Sequence, residues 1–323
     1  MKKLTTISLI ACFSTLLFFA VSCNQAVKKQ NPETLEGTIS ISGAFAMYPL
    51  TVKWAEEFKK LHPKVTIDIS AGGAGKGMVD VLNKLVDMAM FSREVSPEEQ
   101  AKGAWFIAAA KDAVLPTINT ANPVYKELAT KGMKKQDFID VFITGKIKTW
   151  GQLTQSNSKA KINIYTRSDA CGAAEMWAKY LGKSQEDLTG VGIYSDPGMC
   201  DAVKNDIYGI GYNNVAYAYD PKTRKNYEGM AIIPLDLNEN GVIDSSENFY
   251  GQLDKLTTAI KEEHFPSPPA RNLYFVTKGK PDNVLVVEFL KFVLNDGQKY
   301  IHEAGYVELN ESKLAKESAK LNQ

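Results

Sequence analysis

From Gly37 the chain switches repeatedly between two hydrophobic periods. GTISISG places apolar residues at alternate positions and predicts a strand, whereas AFAMYPLTVKWAEEFKKLHP carries them at helical spacing until Pro63 ends the run. KVTIDIS is again a strand, AGGAGKGMVDVLNKL a glycine loop running into a helix, and VDMAMFS a short buried strand. Such alternation implies an α/β fold with a parallel sheet, whose ligand side lies at the C-terminal ends of the strands. DAVLPTINTANP is an extended segment closing at Asn122-Pro123, where the chain crosses into a second domain. There QDFIDVFITGKIKTWGQL reads as a helix, a break at Gly145 and a strand or turn carrying Trp150; AKINIYTRSD and DIYGIGYNNVAYA each supply a strand. ARNLYFVTKG looks like a return strand, with helices expected over 284–294 and 298–304. The expected division is 37–117 plus 272–323 for one lobe and 118–271 for the other.

Length and charge narrow the class. The 323 residues suit two domains, and 38 Lys and Arg against 37 Asp and Glu leave a net charge of +1. No nucleic-acid partner is expected from so even a balance. Lys2 and Lys3 ahead of an apolar run from Leu4 to Ala20 predict a signal peptide and hence export. The run ends in Ala20-Val21-Ser22-Cys23, which resembles a bacterial lipobox with Ala20 in place of the commoner leucine. Residues 1–23 are therefore read as a lipoprotein signal ending at a lipidated Cys23, and 24–36 as a polar tether. An ordinary cleaved signal with a chance cysteine is the plainer alternative. Cys171 and Cys200 remain for an oxidising compartment, either as a disulfide or as two unpaired small apolar residues at helix starts.

Three loop-to-helix junctions carry the chemistry. They are Ser42-Gly43-Ala44-Phe45, Ala71-Gly72-Gly73-Ala74-Gly75-Lys76-Gly77 and Arg167-Ser168-Asp169-Ala170-Cys171-Gly172. Glycine lets a backbone approach a ligand, and the amides of a first helical turn are donors for an anion. Lys76 does not make a P-loop, because Ser70 and Gly77 stand where glycine and a hydroxyl residue are needed. Arg93, after Ser92, and Arg167 are the candidate cations; either could instead sit in an internal ion pair, such as Arg167 with Asp169. Phe45 could pack or wall a pocket.

DLNENGVIDSSE fits a calcium loop: Asp236, Asn238, Asn240, the Val242 carbonyl, Asp244 and Glu247 fall at the ligand positions, with Gly241 at the turn. Between an expected strand in AIIPL and an exiting helix in ENFYGQLDKLTTAIKE, it reads as a structural Ca²⁺ clamp; a polar turn of similar composition is the alternative. His62, His264 and His302 are isolated, and Cys171 has no neighbouring histidine to activate it. A hydrolase using Cys171 is the remote rival, and a binding protein, not an enzyme, the main expectation.

In order along the chain, ISGAFAMYPLTVKWAEEF, ISAGGAGKGMVDVL, VDMAMFSRE, FITGKIKTWGQL, RSDACGAAEMW, IGYNNVAYA and GQKYIHEAGYVEL resemble segments of the periplasmic phosphate-binding proteins of ABC importers. The resemblance implies a two-lobed type II periplasmic binding protein joined by crossing strands, closing on an oxyanion such as phosphate. It also implies an ABC permease as partner, a membrane anchor if Cys23 is lipidated, and a monomer. The family's hydroxyl positions fall on Phe45, Ala74, Cys171 and Ala173, a position that is aspartate or serine falls on Ser92, and the arginine is kept as Arg167 with Asp169. The pocket expected from this comprises Ala44, Phe45, Ala74, Gly75, Ser92, Arg93, Arg167, Cys171, Gly172 and Ala173. Its pull on an anion would come from main-chain amides and guanidiniums. Another anion in the same fold, or a scaffold protein without a small ligand, are the rival readings.

Overall fold

The computed structural model describes residues 35–322, so the signal segment, Cys23 and tether residues 24–34 lie outside the described residues. Among those described, nine strands form: β1 (Gly37–Gly43), β2 (Val65–Ala71), β3 (Met88–Phe91), β4 (Ala104–Asn119), β5 (Asn163–Arg167), β6 (Val191–Ile193), β7 (Gly209–Asn214), β8 (Met230–Ile232) and β9 (Ala270–Lys278). Their order is β2-β1-β3-β9-β4-β7-β5-β6, with β8 also paired to β4. The outer pairs β1 with β2 and β3, and β5 with β6 and β7, are parallel, as βαβ alternation dictates. The centre is antiparallel, because β4 and β9 run between the lobes in opposite directions.

Two hydrophobic cores flank this ribbon. The first gathers Ile39, Ile41, Trp54, Phe58, Met90, Phe275 and Phe289, together with Ile107 and Ala108 to Ala110 of β4. The second gathers Phe138, Phe142, Trp177, Tyr212 and Leu256, together with Ala113, Val114, Leu115 and Ile118 of the same strand. One strand thus serves both cores, and the division falls between Ala110 and Ala113.

Local sequence explains the elements. In the helix Tyr48–Leu61, Pro49 suits the first turn, Leu50, Thr51, Trp54, Ala55 and Phe58 are buried at three- and four-residue steps, and Lys59 and Lys60 complement the C-terminal dipole. Trp54 is fully buried and its indole donates to the Gly297 carbonyl at 2.8 Å. Burial of such a side chain is worth roughly 1.5–3 kcal/mol. In the second lobe Trp177 stacks on Tyr212 and meets Phe138 and Phe142 edge-on.

Several expectations are corrected. Trp150 opens a short helix, Trp150–Thr154, because Thr149 and Gln152 form a capping box. The segment after the acidic loop stays in turns, and its helix begins only at Leu253. The 298–304 helix is a 3₁₀ turn over Asp296–Tyr300, and β6 and the helices Asp196–Asn205 and Glu311–Asn322 were not foreseen. Among the described residues no helix is long and apolar enough to cross a membrane.

Candidate functional site

The three glycine junctions meet at the seam between the lobes. Gly75, in the first turn of the helix Ala74–Leu82, donates its amide to the Ala170 carbonyl of the opposite lobe at 3.1 Å. Gly172 lies so close to Ser92 that a Cβ there would stand 2.1 Å from the Ser92 carbonyl oxygen. The Phe45 ring meets Tyr194 edge-on at 5.9 Å and lies 5.9 Å from the Arg167 guanidinium, while its carbonyl accepts from the Tyr217 hydroxyl at 3.1 Å. Gly43 makes the convergence feasible, since its φ of +132° and a would-be Cβ 2.2 Å from the Met90 carbonyl oxygen admit only glycine.

Charge at the seam is paired internally. Arg167 is 5% exposed, forks onto Asp169 at 2.8 and 2.7 Å, and reaches Asp196 with Nη1 at 2.8 Å. Asn214 continues the network by donating to Asp196 and accepting from Arg271, which pairs with Asp112 at 3.0 Å. Two guanidiniums thus face three carboxylates, an excess of one negative charge. Burial holds the carboxyl of Asp196 above its ordinary range, with Arg167 only partly offsetting it, and burial raises Asp112 likewise. Burial opposes the charge on Arg167, but Asp196 and Asp169 outweigh it and hold the guanidinium firmly protonated.

Several of the donors expected to hold an anion are engaged in this closed arrangement. Ala44 donates its amide to the Met90 carbonyl at 2.9 Å, and Gly72 and Gly73 donate to Gly43. The amides of Cys171 and Ala174 go to Gln185 Oε1 and Cys171 Sγ. Of these, the Gly75 amide bonds to the opposite lobe, so parting the lobes frees it. Arg93 is a correction: it forks onto Glu99, reaches Glu175 of the opposite lobe at 2.9 Å and lies over the Phe91 ring, which leaves it an interlobe tie. Lys76 is likewise taken up by Asp80.

The cysteine bridge is also corrected. Cys171 and Cys200 are both free and buried. Cys171 caps the helix Gly172–Tyr180, whereas Cys200 lies inside the helix Asp196–Asn205. Burial pushes the Cys171 thiol up to about 12, which withholds the thiolate a nucleophile needs. Sequence reading missed Asp196, Tyr194, Asn214 and Arg271. Ser195-Asp196-Pro197 was the available signal, for Ser195 caps the helix that carries Asp196 by accepting from the Gly198 amide at 3.2 Å.

The acidic loop folds around its own first residue. Asp236 accepts from the amides of Asn240 and Gly241 at 3.1 and 2.9 Å, and Glu247 Oε1 accepts from those of Leu237 and Asn238 at 2.7 and 3.0 Å. Asn238 Oδ1 and Asn240 Oδ1 each accept from the amide two residues on, and Asp244 accepts from Ser246 and from Asn238 Nδ2. Among the described residues no three His, Cys, Asp or Glu side chains form a ready metal cluster.

The chain is 25% identical over 327 residues to the phosphate-binding protein PstS of Bacillus subtilis, covering 98% of this chain and 97% of that protein. A PstS of Methanocaldococcus jannaschii is also 25% identical, over 96% and 93% of the two chains. The fold matches an ABC-type phosphate transport receptor from Vibrio cholerae with a TM-score of 0.61 at 18% identity, covering 84% of this chain and all of that one. The architecture is therefore that of a type II periplasmic binding protein. A family model described as the PBP superfamily domain matches residues 28–297, and with most of its length inside that match the chain belongs to the PBP superfamily.

Proposed function

We propose that the protein is an extracytoplasmic solute-binding protein that takes phosphate or a related oxyanion between its lobes and delivers it to an ABC permease. The observation that carries this reading is the meeting of two glycine junctions across the lobes, Gly75 on the Ala170 carbonyl and Gly73 beside the Asp169 carboxylate that orients Arg167. Full-length similarity to proteins named as phosphate binders supports the same ligand and a role in binding, not turnover. Uptake on this reading begins from the parted lobes. The anion takes the Gly75 amide that parting has freed from the Ala170 carbonyl and competes with Asp196 for Arg167, and the lobes close over it. The finer parts of the reading are a lipid anchor at Cys23, a monomeric state and attachment to a bacterial membrane.

A second reading, a scaffold without a small ligand, is favoured by the internal pairing of Arg167 with Asp169 and Asp196. The two separate in one experiment, a melting series with phosphate, sulfate, molybdate and tungstate. A true ligand at 100 times its Kd stabilises by about 2.7 kcal/mol through mass action. Phosphate is expected to raise Tm in the intact chain and not in Arg167→Gln. No shift with any of the four anions would favour the scaffold.

A further inference from the structure

We propose that residues 236–247 bind one calcium ion, independently of the anion seam. The decisive feature is Glu247. Its side chain is 3% exposed; Oε1 is tied back to the amides of Leu237 and Asn238, while Oε2 is buried with no hydrogen-bond partner. A buried carboxylate oxygen without a donor is costly, and Glu247 occupies the twelfth position, where a calcium loop closes its coordination sphere with two carboxylate oxygens.

The rest of the loop is arranged to match. Asp236, 3% exposed at the first position, anchors the Asn240 and Gly241 amides, so the chain is already wound about it. Gly241 takes φ +80° with nothing within 4 Å of a would-be Cβ; the backbone conformation, not crowding, calls for glycine there. Asn238, Asn240 and the Val242 carbonyl would contribute neutral oxygens beside the carboxylates of Asp236, Asp244 and Glu247, which are not gathered into a ready three-carboxylate cluster. An all-oxygen set without imidazole or thiolate suits a hard cation, and calcium sheds its water more readily than magnesium.

The ion would act as a clamp. The loop is stitched to the helix Tyr125–Lys131 and the residues after it by the Ile243 amide on the Thr130 carbonyl at 2.8 Å and the Asp236 amide on the Met133 carbonyl at 3.0 Å. Filling the loop therefore fastens that helix to the end of β8.

The test uses the full chain stripped with EGTA and desalted, then titrated with calcium chloride by calorimetry and by thermal melting. Binding of one ion per chain is expected, with a rise in Tm of about 5 °C at saturation, since linkage of a few kcal/mol moves a domain of this size by that amount. Magnesium should give less than half of that shift. Glu247→Gln should abolish the response. Should that variant fail to fold, Asn240→Ala, at an exposed position, should weaken calcium binding at least tenfold. An absence of heat and of any Tm shift in the unaltered chain overturns the proposal, as does a calcium response left unchanged by substitution in the loop.

Discussion

The lobe seam and the 236–247 loop are both built from polar groups gathered around a centre, yet they close their accounts differently. At the seam Arg167 holds Asp169 and Asp196, the Gly75 amide holds the Ala170 carbonyl, and Arg271 holds Asp112 through Nη2 alone, with Nε and Nη1 buried as unpartnered donors. In the loop, Glu247 Oε2 is left buried without a partner. A ligand entering the seam must compete with the carboxylates for Arg167, but it also meets buried donors without acceptors, Arg271 Nε and Nη1, which suit an anion. A cation entering the loop completes a set that the fold leaves open.

The comparison breaks most visibly if the seam network is cut. Arg167→Ala leaves Asp169 and the buried Asp196 without their guanidinium, and removing one partner of a buried pair costs about 3–5 kcal/mol. Urea unfolding at neutral pH should show a loss of that size. A loss below about 1 kcal/mol would mean that the seam's carboxylates are not dependent on Arg167, and self-neutralisation would fail as a description.

The fold was legible because its periods are clean. β1, β2, β3, β5, β7 and β9 are runs of alternating or continuous apolar residues, and the helix Val284–Leu294 falls where the pattern placed it. What could not be read was how the seam's charges are paired. Asp112, Asp196 and Arg271 are far apart in sequence and meet only because β4 and β9 pair and the helix Asp196–Asn205 packs beside β7. Arg93 is taken up in part the same way, since Glu175 lies in the other lobe, although its forked partner Glu99 is only six residues on. The calcium pattern, by contrast, is local, twelve consecutive residues whose spacing fixes their geometry. The local winding of that loop about Asp236 and the turn at Gly241 were thus readable from one sequence, and long-range compensation was not.

A smaller effect sharpens the electrostatic half of the comparison. Asp196→Asn removes the surplus negative charge while keeping the side-chain shape, so the affinity for a divalent oxyanion should rise. One charge at several ångströms, with an effective dielectric near 20, is worth a few kcal/mol before relaxation, and about tenfold in Kd is expected. The carboxyl of Asp196 is raised above its ordinary value in the fold. In the window between the two values the folded state keeps a proton that the unfolded state has released. Stability from this group therefore increases as pH falls through that window, and anion affinity follows it, since the protonated side chain repels less. Titrating phosphate by calorimetry from neutral to mildly acidic pH should show this rise in the unaltered chain, beyond the change due to phosphate's own ionisation, and a flatter profile in the variant. An equal slope in both would detach Asp196 from the site.

The smallest expected effect tests whether the lobes are held shut by charge at their rim. Arg93 spans the seam from Glu99 of its own lobe to Glu175 of the other, with side chains that are partly exposed, 18% for Arg93 and 27% for Glu175. Glu175→Gln removes the crossing pair together with the Glu175–Lys179 pair within its own helix, of which only the first spans the lobes, and partly exposed pairs contribute about 0.2–1 kcal/mol, screened by salt. Closure should therefore weaken slightly at low ionic strength and not at all in high salt, seen as a small increase in the radius of gyration by X-ray scattering. Glu99 adds a pH signature. Burial alone would raise its carboxyl, but Arg93 outweighs this and holds it below the ordinary range. Its stabilising contribution is thus present above the unfolded value and lost as pH falls through the lowered one, the opposite sense to Asp196. A scattering profile unaffected by Glu175→Gln at low salt would assign closure to the buried contacts of Gly75, Gly172 and Phe45, and the guanidinium at the rim would be a matter of lobe stability alone.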